Sequence, residues 1–236
     1  MPLPKLTAPR FTIELPSDNK KISFRPFLVK EEKNLLIASE SKDIESMISS
    51  ISDIINSCVL EENFDAMKLC SFDFEYLFLN IRAKSISEKI KLRYRHRDGK
   101  NYKGEDCNEI AEVEIDIDTI KVSVEETHSR KIMINSTLGI QMRYPIVSDM
   151  KILQSDTSDI DLIARCIEFV YDGETVYDPD NIDDSKKFLE SLNVSSFQKI
   201  LEFFKTMPAL KHKINYTCPR CKQDDEVTLE GVADFF

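Results

Sequence analysis

The sequence predicts an α+β protein, because two kinds of hydrophobic spacing follow one another along the chain. Apolar residues recur every three or four positions in some segments, as in amphipathic helices, and every second position in others, as in strands. A cysteine pair between two short strands near the C-terminus adds a zinc-ribbon-like knuckle. The chain has 236 residues, of which 42% are hydrophobic and 31% charged, so it is long enough and apolar enough to form a hydrophobic core.

Residues 1–86 are expected to form an N-terminal β-hairpin followed by helices. Residues 11–15 and 22–27 alternate apolar with polar side chains, and the turn-forming residues 16–19 lie between them. A continuous apolar stripe runs from Ile44 to Val59 at helical spacing. Residues 73–85 are apolar on most faces, which predicts a largely buried helix.

Residues 87–150 are expected to form a β-rich middle section. Residues 88–96 alternate, and so do the apolar positions from Val113 to Val124, with weaker continuations at 131–135 and 140–144. Alternate cations between Lys89 and Arg97 would line one strand face. We expect them to pair with the acidic run at 112–118 in a hairpin, and a nucleic-acid surface is the alternative.

Residues 151–210 are expected to be helical, and residues 211–236 to form a terminal knuckle and tail. Helical spacing from Ile160 to Val170 predicts a helix that stops at Gly173. Residues 185–192 and 196–206 predict two more helices. We expect the four sections to make one compact unit.

The cysteine pair Cys218 and Cys221 has the spacing of half a zinc ribbon. Tetrahedral zinc needs two further ligands, and His96 and Cys107 lie on a second polar turn between predicted strands. These four residues are the predicted ligands of a structural zinc ion. His212 is the reserve fourth ligand, and a residue of another chain, a bare exposed turn and a redox pair are the alternatives.

Composition and missing motifs exclude several functions. A formal net charge of -10 disfavours bulk nucleic-acid binding. No apolar run approaches the roughly 20 residues of a membrane span, and no signal peptide is recognisable, so a cytosolic location is expected. The common phosphate-binding, dinucleotide-binding, acyl-transfer and metalloprotease motifs are absent. The acidic residues 178–180 are interpreted as an exposed loop rather than a calcium site, and Cys58, Cys70 and Cys166 as core residues.

Several stretches resemble the baseplate hub assembly proteins of T-even-type contractile-tailed phages. They lie in order along nearly the whole chain, at residues 3–6, 24–33, 73–85 and 229–236. The resemblance implies a non-enzymatic protein that builds or joins the baseplate hub, with hub and tail proteins as partners. It would act in the host cytoplasm during assembly, and whether it stays in the virion is left open. Members tend to carry a cysteine pair near the middle, where this chain has His96 or a neighbour at the first position and Cys107 at the second.

Two sites are candidate partner contacts. The aromatic terminus Asp234, Phe235 and Phe236 suits docking in a partner's groove, and folding back onto its own core is the alternative. Arg25 lies in the second candidate, a segment crowded with charges and aromatic rings. A transcription-type zinc ribbon, a redox protein and an enzyme of unfamiliar type are the competing functions, and homo-oligomerisation stays open.

Overall fold

The computed structural model describes residues 8–41, 44–96, 99–153 and 159–231, and these form a mixed α and β fold, which confirms the predicted class. The helices are α1 (Val29–Ser41), α2 (Ile44–Cys58), α3 (Ser71–Ser85), α4 (Val147–Leu153), α5 (Asp159–Arg165), α6 (Ile182–Glu190) and α7 (Val194–Thr206). The strands are β1 (Phe11–Glu14), β2 (Lys21–Phe24), β3 (Lys89–Tyr94), β4 (Ala111–Asp116), β5 (Val122–Ser123), β6 (Lys131–Met133), β7 (Leu138–Met142), β8 (Ile167–Asp172), β9 (Thr175–Tyr177), β10 (Ala209–Thr217) and β11 (Asp224–Glu230).

The chain divides into two compact units. The first unit comprises the described residues up to Phe64, then Glu75–Ser123 and 209–231. The second unit comprises Asp65–Phe74 and the described residues between Val124 and Pro208. The first unit is therefore assembled from three separate segments of the sequence. None of the described helices has the length and apolar character needed to cross a membrane.

The N-terminal hairpin of the first unit is tied to the end of α2, because the Arg25 N–H donates to the Cys58 carbonyl at 2.9 Å and Phe24 pairs with Val59. Strands β1 and β2 pair antiparallel, with Phe11 opposite Phe24, as the alternating pattern predicts. Phe24 is fully buried, and so is the apolar stripe of α2 at Ile51 and Ile55. Burying one such side chain contributes roughly 1.5–3 kcal/mol to stability.

Two small sheets complete the first unit and carry its second core. Strand β3 pairs antiparallel with β4, and β10 lies between β11 and β5. The buried residues come from α3, both sheets and the connections between them: Leu79, Ala83, Ile90, Leu92, Ile115, Ile117, Ile120, Leu210, Ile214 and Leu229. On the outer face of β3, Lys89 pairs with Glu114 at 2.7 Å and Arg93 with Glu112 at 3.0 Å. The expected pairing of basic and acidic strands is thereby confirmed.

The second unit is a four-stranded antiparallel sheet with helices around its core. The strand order is β6-β7-β8-β9. Residues of the sheet pack with residues of α5, α6 and α7, including Ile140, Ile163, Leu189 and Phe203.

One predicted helix in the second unit is wrong in its second half. Helix α5 ends at Arg165, and the residues that would continue it form β8. Ile167 and Val170 pair there with Met142 and Ile140 of β7. The segment is rich in β-branched and aromatic residues, which suit a pleated strand. Gly173 does not stop a helix but adopts φ +59 between β8 and β9, a left-handed conformation that favours glycine.

Candidate metal centre

The turn between β10 and β11 holds Cys218 and Cys221 in a fixed knuckle. The Cys218 N–H donates to the Gln223 carbonyl at 2.8 Å, and the Lys222 N–H donates to the Cys218 carbonyl at 3.0 Å. Lys222 has φ 60, so the chain reverses tightly after the second cysteine. These hydrogen bonds are local, which explains why the cysteine spacing alone predicts the knuckle.

A second knuckle between β3 and β4 carries His96 and Cys107. The Gly99 N–H donates to the His96 carbonyl at 3.1 Å, and the Cys107 N–H donates to the Gly99 carbonyl at 2.7 Å. Gly99 has φ +66, and a Cβ there would lie 2.2 Å from Oδ1 of Asn108, so no other residue fits without rearrangement. Gly99 thus brings His96 and Cys107 together across the ten residues between them.

The two knuckles meet, and their four side chains form one cluster. The Tyr102 N–H of one knuckle donates to Oε1 of Gln223 in the other at 2.8 Å. One ligand atom each from His96, Cys107, Cys218 and Cys221 lies within 4.8 Å of all the others. The first three residues are at most 3% exposed, and Cys221 is half-buried.

The sulfur separation within the cluster fits a tetrahedral ion, whereas the nitrogen–sulfur separation is shorter than the roughly 3.5 Å expected around bound zinc. Sγ of Cys107 lies 3.7 Å from Sγ of Cys218, and Nε2 of His96 lies 3.1 Å from Sγ of Cys221. Two sulfurs at about 2.3 Å from a tetrahedral zinc ion are about 3.8 Å apart. The sulfur separation is far longer than the roughly 2.05 Å of a disulfide bond, and all the cysteines are free. The cluster therefore has the donor atoms, spacing and burial to hold a metal ion.

The thiols of the cluster differ in acidity. Backbone hydrogen bonds, first from Cys221 and also from Arg220, lower the pKa of Cys218 to about 6 despite its burial. Burial raises the pKa of Cys107, and its contact with Cys218 adds to that rise. Because thiolates are the zinc-binding form, Cys218 offers a ready negative ligand at neutral pH.

Asp225 lies behind the histidine of the cluster. Its Oδ2 is 3.5 Å from Nδ1 of His96, on the side of the ring away from Cys221. The same oxygen accepts a hydrogen bond from the Tyr216 hydroxyl at 3.3 Å, and burial followed by the Asp225 charge raises the pKa of Tyr216 to about 12. A carboxylate behind a ligating imidazole fixes its orientation and tautomer. Sequence spacing did not single out Asp225, because a carboxylate outside the ligand set has no motif of its own.

The remaining cysteines and histidines lie outside the cluster. Cys58, Cys70 and Cys166 are buried, as expected of core residues. Burial raises the pKa of Cys58 to about 11 and that of Cys166 to about 12, so both stay protonated thiols. His212 is part of β10, where it pairs with Leu229 of β11, and it does not join the cluster.

The candidate partner contacts fall partly outside the described residues. The aromatic terminus of Asp234, Phe235 and Phe236 lies outside the described residues. Arg25 is described, and its guanidinium makes internal contacts: it donates to the Pro26 and Ser57 carbonyls at 2.8 Å each and pairs with Glu31 at 3.1 Å. Burial alone would raise the pKa of Glu31, but the Leu28 N–H and the Arg25 guanidinium outweigh it and lower that pKa. Arg25 thus has a structural role, and a contact with a partner stays a prediction.

Comparison with known proteins places the chain in a family. No curated protein and no solved structure matches it. The family model described as "T4 bacteriophage base plate protein" matches residues 8–236, which is nearly the whole chain and includes every residue of the cluster. This chain belongs to the T4 bacteriophage base plate protein family.

Proposed function

We propose that the chain acts in the central hub of a phage tail baseplate, either as a component of the hub or as a factor that assembles it. The observation that carries this proposal is the baseplate family match over residues 8–236. The resemblance at residues 3–6, 24–33, 73–85 and 229–236 adds the hub to that assignment. The partners are then other hub and tail proteins, met in the host cytoplasm during assembly.

We further propose that His96, Cys107, Cys218 and Cys221 bind one structural Zn²⁺ ion. Three thiol groups and one imidazole are soft and borderline ligands of the kind zinc prefers. Four protein ligands leave no open position for water or substrate, which is typical of structural rather than catalytic zinc. When bound, the ion would cross-link the two knuckles.

The proposed action is protein contact without catalysis. The catalytic motifs that the sequence lacks and the closed character of the ligand set both support this interpretation. Asp234, Phe235 and Phe236, together with Arg25, remain the proposed contact residues for hub partners. A transcription-type zinc ribbon is less well supported, because the basic face of β3 is neutralised by β4.

Deletion of the coding sequence from the phage genome tests the hub proposal. We expect the deletion phage to give particles whose baseplates lack their centre in electron micrographs, and a plasmid copy of the chain to restore the infective titre. Normal baseplates in the deletion phage would overturn the proposal. Mass spectrometry of purified virions then separates the two roles, because a hub component stays in the particle and an assembly factor does not.

A further inference from the structure

An apolar groove opens on the second unit beside β8, β9 and α6. Its volume is about 450 Å³, and Leu138, Ile167, Val170 and Phe188 are among the residues that line it. This volume lies within the roughly 300–1,000 Å³ typical of ligand-binding clefts. The groove is therefore large enough to take an apolar side chain of a partner.

Four acidic side chains line the groove, and three of them have no cationic partner among the described residues. Asp172, Asp178 and Asp180 line it and are exposed, and no ion pair or side-chain hydrogen bond within the described part of the chain involves them. A fourth lining carboxylate, Asp184, has a local explanation, because it sits in the first turn of α6 and lies 3.9 Å from Lys187. Within the part of the unit that the structure describes, the other three carboxylates have no comparable partner.

The spacing of these carboxylates argues against a single bound cation. Among the described residues, the group of metal-type ligands close enough to share an ion is the histidine and cysteine cluster of the first unit. The aspartates of the groove form no such group of three among the described residues. A longer ligand that carries several cationic side chains suits separate carboxylates better than one ion does, because each cationic side chain can pair with a different carboxylate.

The edge of the sheet favours an extended ligand. Strand β9 is the outermost strand of its sheet, and its far side pairs with no other described strand. Val176 and Tyr177 of β9 are each 56% exposed. An extended segment can pair with such an edge through its backbone while its side chains enter a neighbouring groove.

We propose that this groove binds an extended segment of another tail protein in which lysine or arginine side chains flank an apolar one. The apolar side chain enters the groove, and the cations meet Asp172, Asp178 and Asp180 at its margin. That the partner is a tail protein rests on the proposed function, whereas the chemistry of the segment rests on the groove alone.

A peptide-binding measurement on the full chain tests the chemistry. The probe is a short acetylated, fluorescein-labelled peptide of alternating lysine and valine, followed by fluorescence anisotropy. Peptides with glutamate in place of lysine, or serine in place of valine, are the control probes. We expect the D178N/D180N double variant to bind the probe roughly three- to tenfold more weakly, as the loss of exposed ion pairs implies. Glu126→Gln removes an exposed negative charge that does not line the groove, and it should leave binding unchanged.

Four results with the purified chain would overturn the proposal. They are no binding of the probe, equal binding of the serine control, calcium binding that the double substitution abolishes, and self-association of the chain that the same substitution abolishes. Complementation separates this proposal from the hub function. If the wild-type chain restores the deletion phage and the double variant does so equally well, the groove proposal fails and the hub function stands. If the wild-type chain does not restore the infective titre of the deletion phage, the proposed hub function fails. The peptide measurement then still tests whether the groove binds the proposed segment.

Discussion

Replacing Cys107 by alanine is expected to remove the bound zinc and to destabilise the first unit. Cys107 is 2% exposed, and its sulfur is one of the four donor atoms of the cluster. A ligand at a free concentration 1,000 times its Kd stabilises a folded protein by about 4 kcal/mol. In a domain of about 150–250 residues, each kcal/mol corresponds to about 2–4 °C in Tm. The transition that includes the first unit should therefore shift downward by about 8–16 °C.

Elemental analysis and calorimetry on protein purified without a histidine tag provide the assay. The wild-type chain should contain one zinc per chain, and its Tm should fall when a chelator is added. Cys107→Ala should contain no zinc, and the chelator should leave its Tm unchanged. Cys58→Ala is the matched control, because it removes another buried thiol of the first unit that lies outside the cluster. This control should lose some packing energy but keep its zinc. His96→Cys should also keep zinc, since it replaces one accepted ligand by another.

Three outcomes would refute the reasoning about the cluster. The first is a zinc content that is the same in Cys107→Ala as in the wild-type chain. The second is half a zinc per chain in a dimer, which would place the ion between two copies of the Cys218 and Cys221 pair. The third is an absence of metal in the wild-type chain, which would mean that the three thiols and the imidazole lie close together without binding an ion.

Three further predictions concern single side chains. Asp225→Ala leaves all four ligands in place but removes the carboxylate that orients His96, so zinc affinity should fall by about 10–100-fold. Competition with a chelator measures this affinity. An unchanged affinity would refute the positioning role of Asp225. Asp149→Ala should lower the free energy of unfolding of the second unit by about 2–3 kcal/mol in urea unfolding, because it leaves Arg143, which Asp149 binds at 2.8 Å, without that ion pair. The loss is smaller than for a fully buried pair, since Arg143 is partly exposed. Equal midpoints and slopes for the variant and the wild-type chain would contradict this. Burial lowers the pKa of His128 in the folded chain, so as the pH falls the unfolded chain takes up the proton of this imidazole first. The free energy of unfolding should therefore decrease below about pH 6.5, the ordinary pKa of histidine, in the wild-type chain. The decrease should be smaller in His128→Gln.

Hydrophobic periodicity predicted the elements whose pattern fits only one structure. The stripe of α2 and the alternation of β3 with β4 are unambiguous, and both elements were expected. The segment after Ile160 misleads, because the steps of three and four through Ile163, Ile167 and Val170 fit a helix, whereas three positions along a regular strand would put Ile167 and Val170 on opposite faces. Both residues reach the same core in β8 because the register with β7 shifts between Gln141 and Met142. Pairing with β7 decides the outcome, and this is a tertiary effect that local spacing does not contain.

Helix α1 was not anticipated, because its sequence carries a weak apolar face. Leu36 and Ile37 are 59% and 58% exposed, and Leu35 is the buried leucine of this helix among the described side chains. Its start is instead set by Glu31, whose carboxylate accepts the Leu28 N–H as in a capping box. The sequence holds only the glutamate half of that motif, because Leu28 stands where a capping box has Ser or Thr.

The site itself was predictable to different degrees for its two halves. Cys218 and Cys221 are close in sequence, and their turn is fixed by local hydrogen bonds. His96 and Cys107 could be proposed as partners only because each lies on a polar turn next to a predicted strand. Their meeting with the cysteine pair depends on how sheets from distant segments pack, and no residue spacing encodes that distance.

The same difference between the two halves decides which substitution tests the cluster best. Cys218 and Cys221 stay neighbours in the unfolded chain, so that chain keeps part of its zinc affinity, and binding to the unfolded state subtracts from the stabilisation. His96 and Cys107 reach the pair only after the first unit has folded, because Cys107 and Cys218 are 111 positions apart. Substituting Cys218 therefore lowers zinc affinity in both states, whereas substituting Cys107 mainly lowers it in the folded state. The loss of stability in Cys107→Ala thus measures what closure of the cluster contributes, separately from the affinity of the cysteine pair.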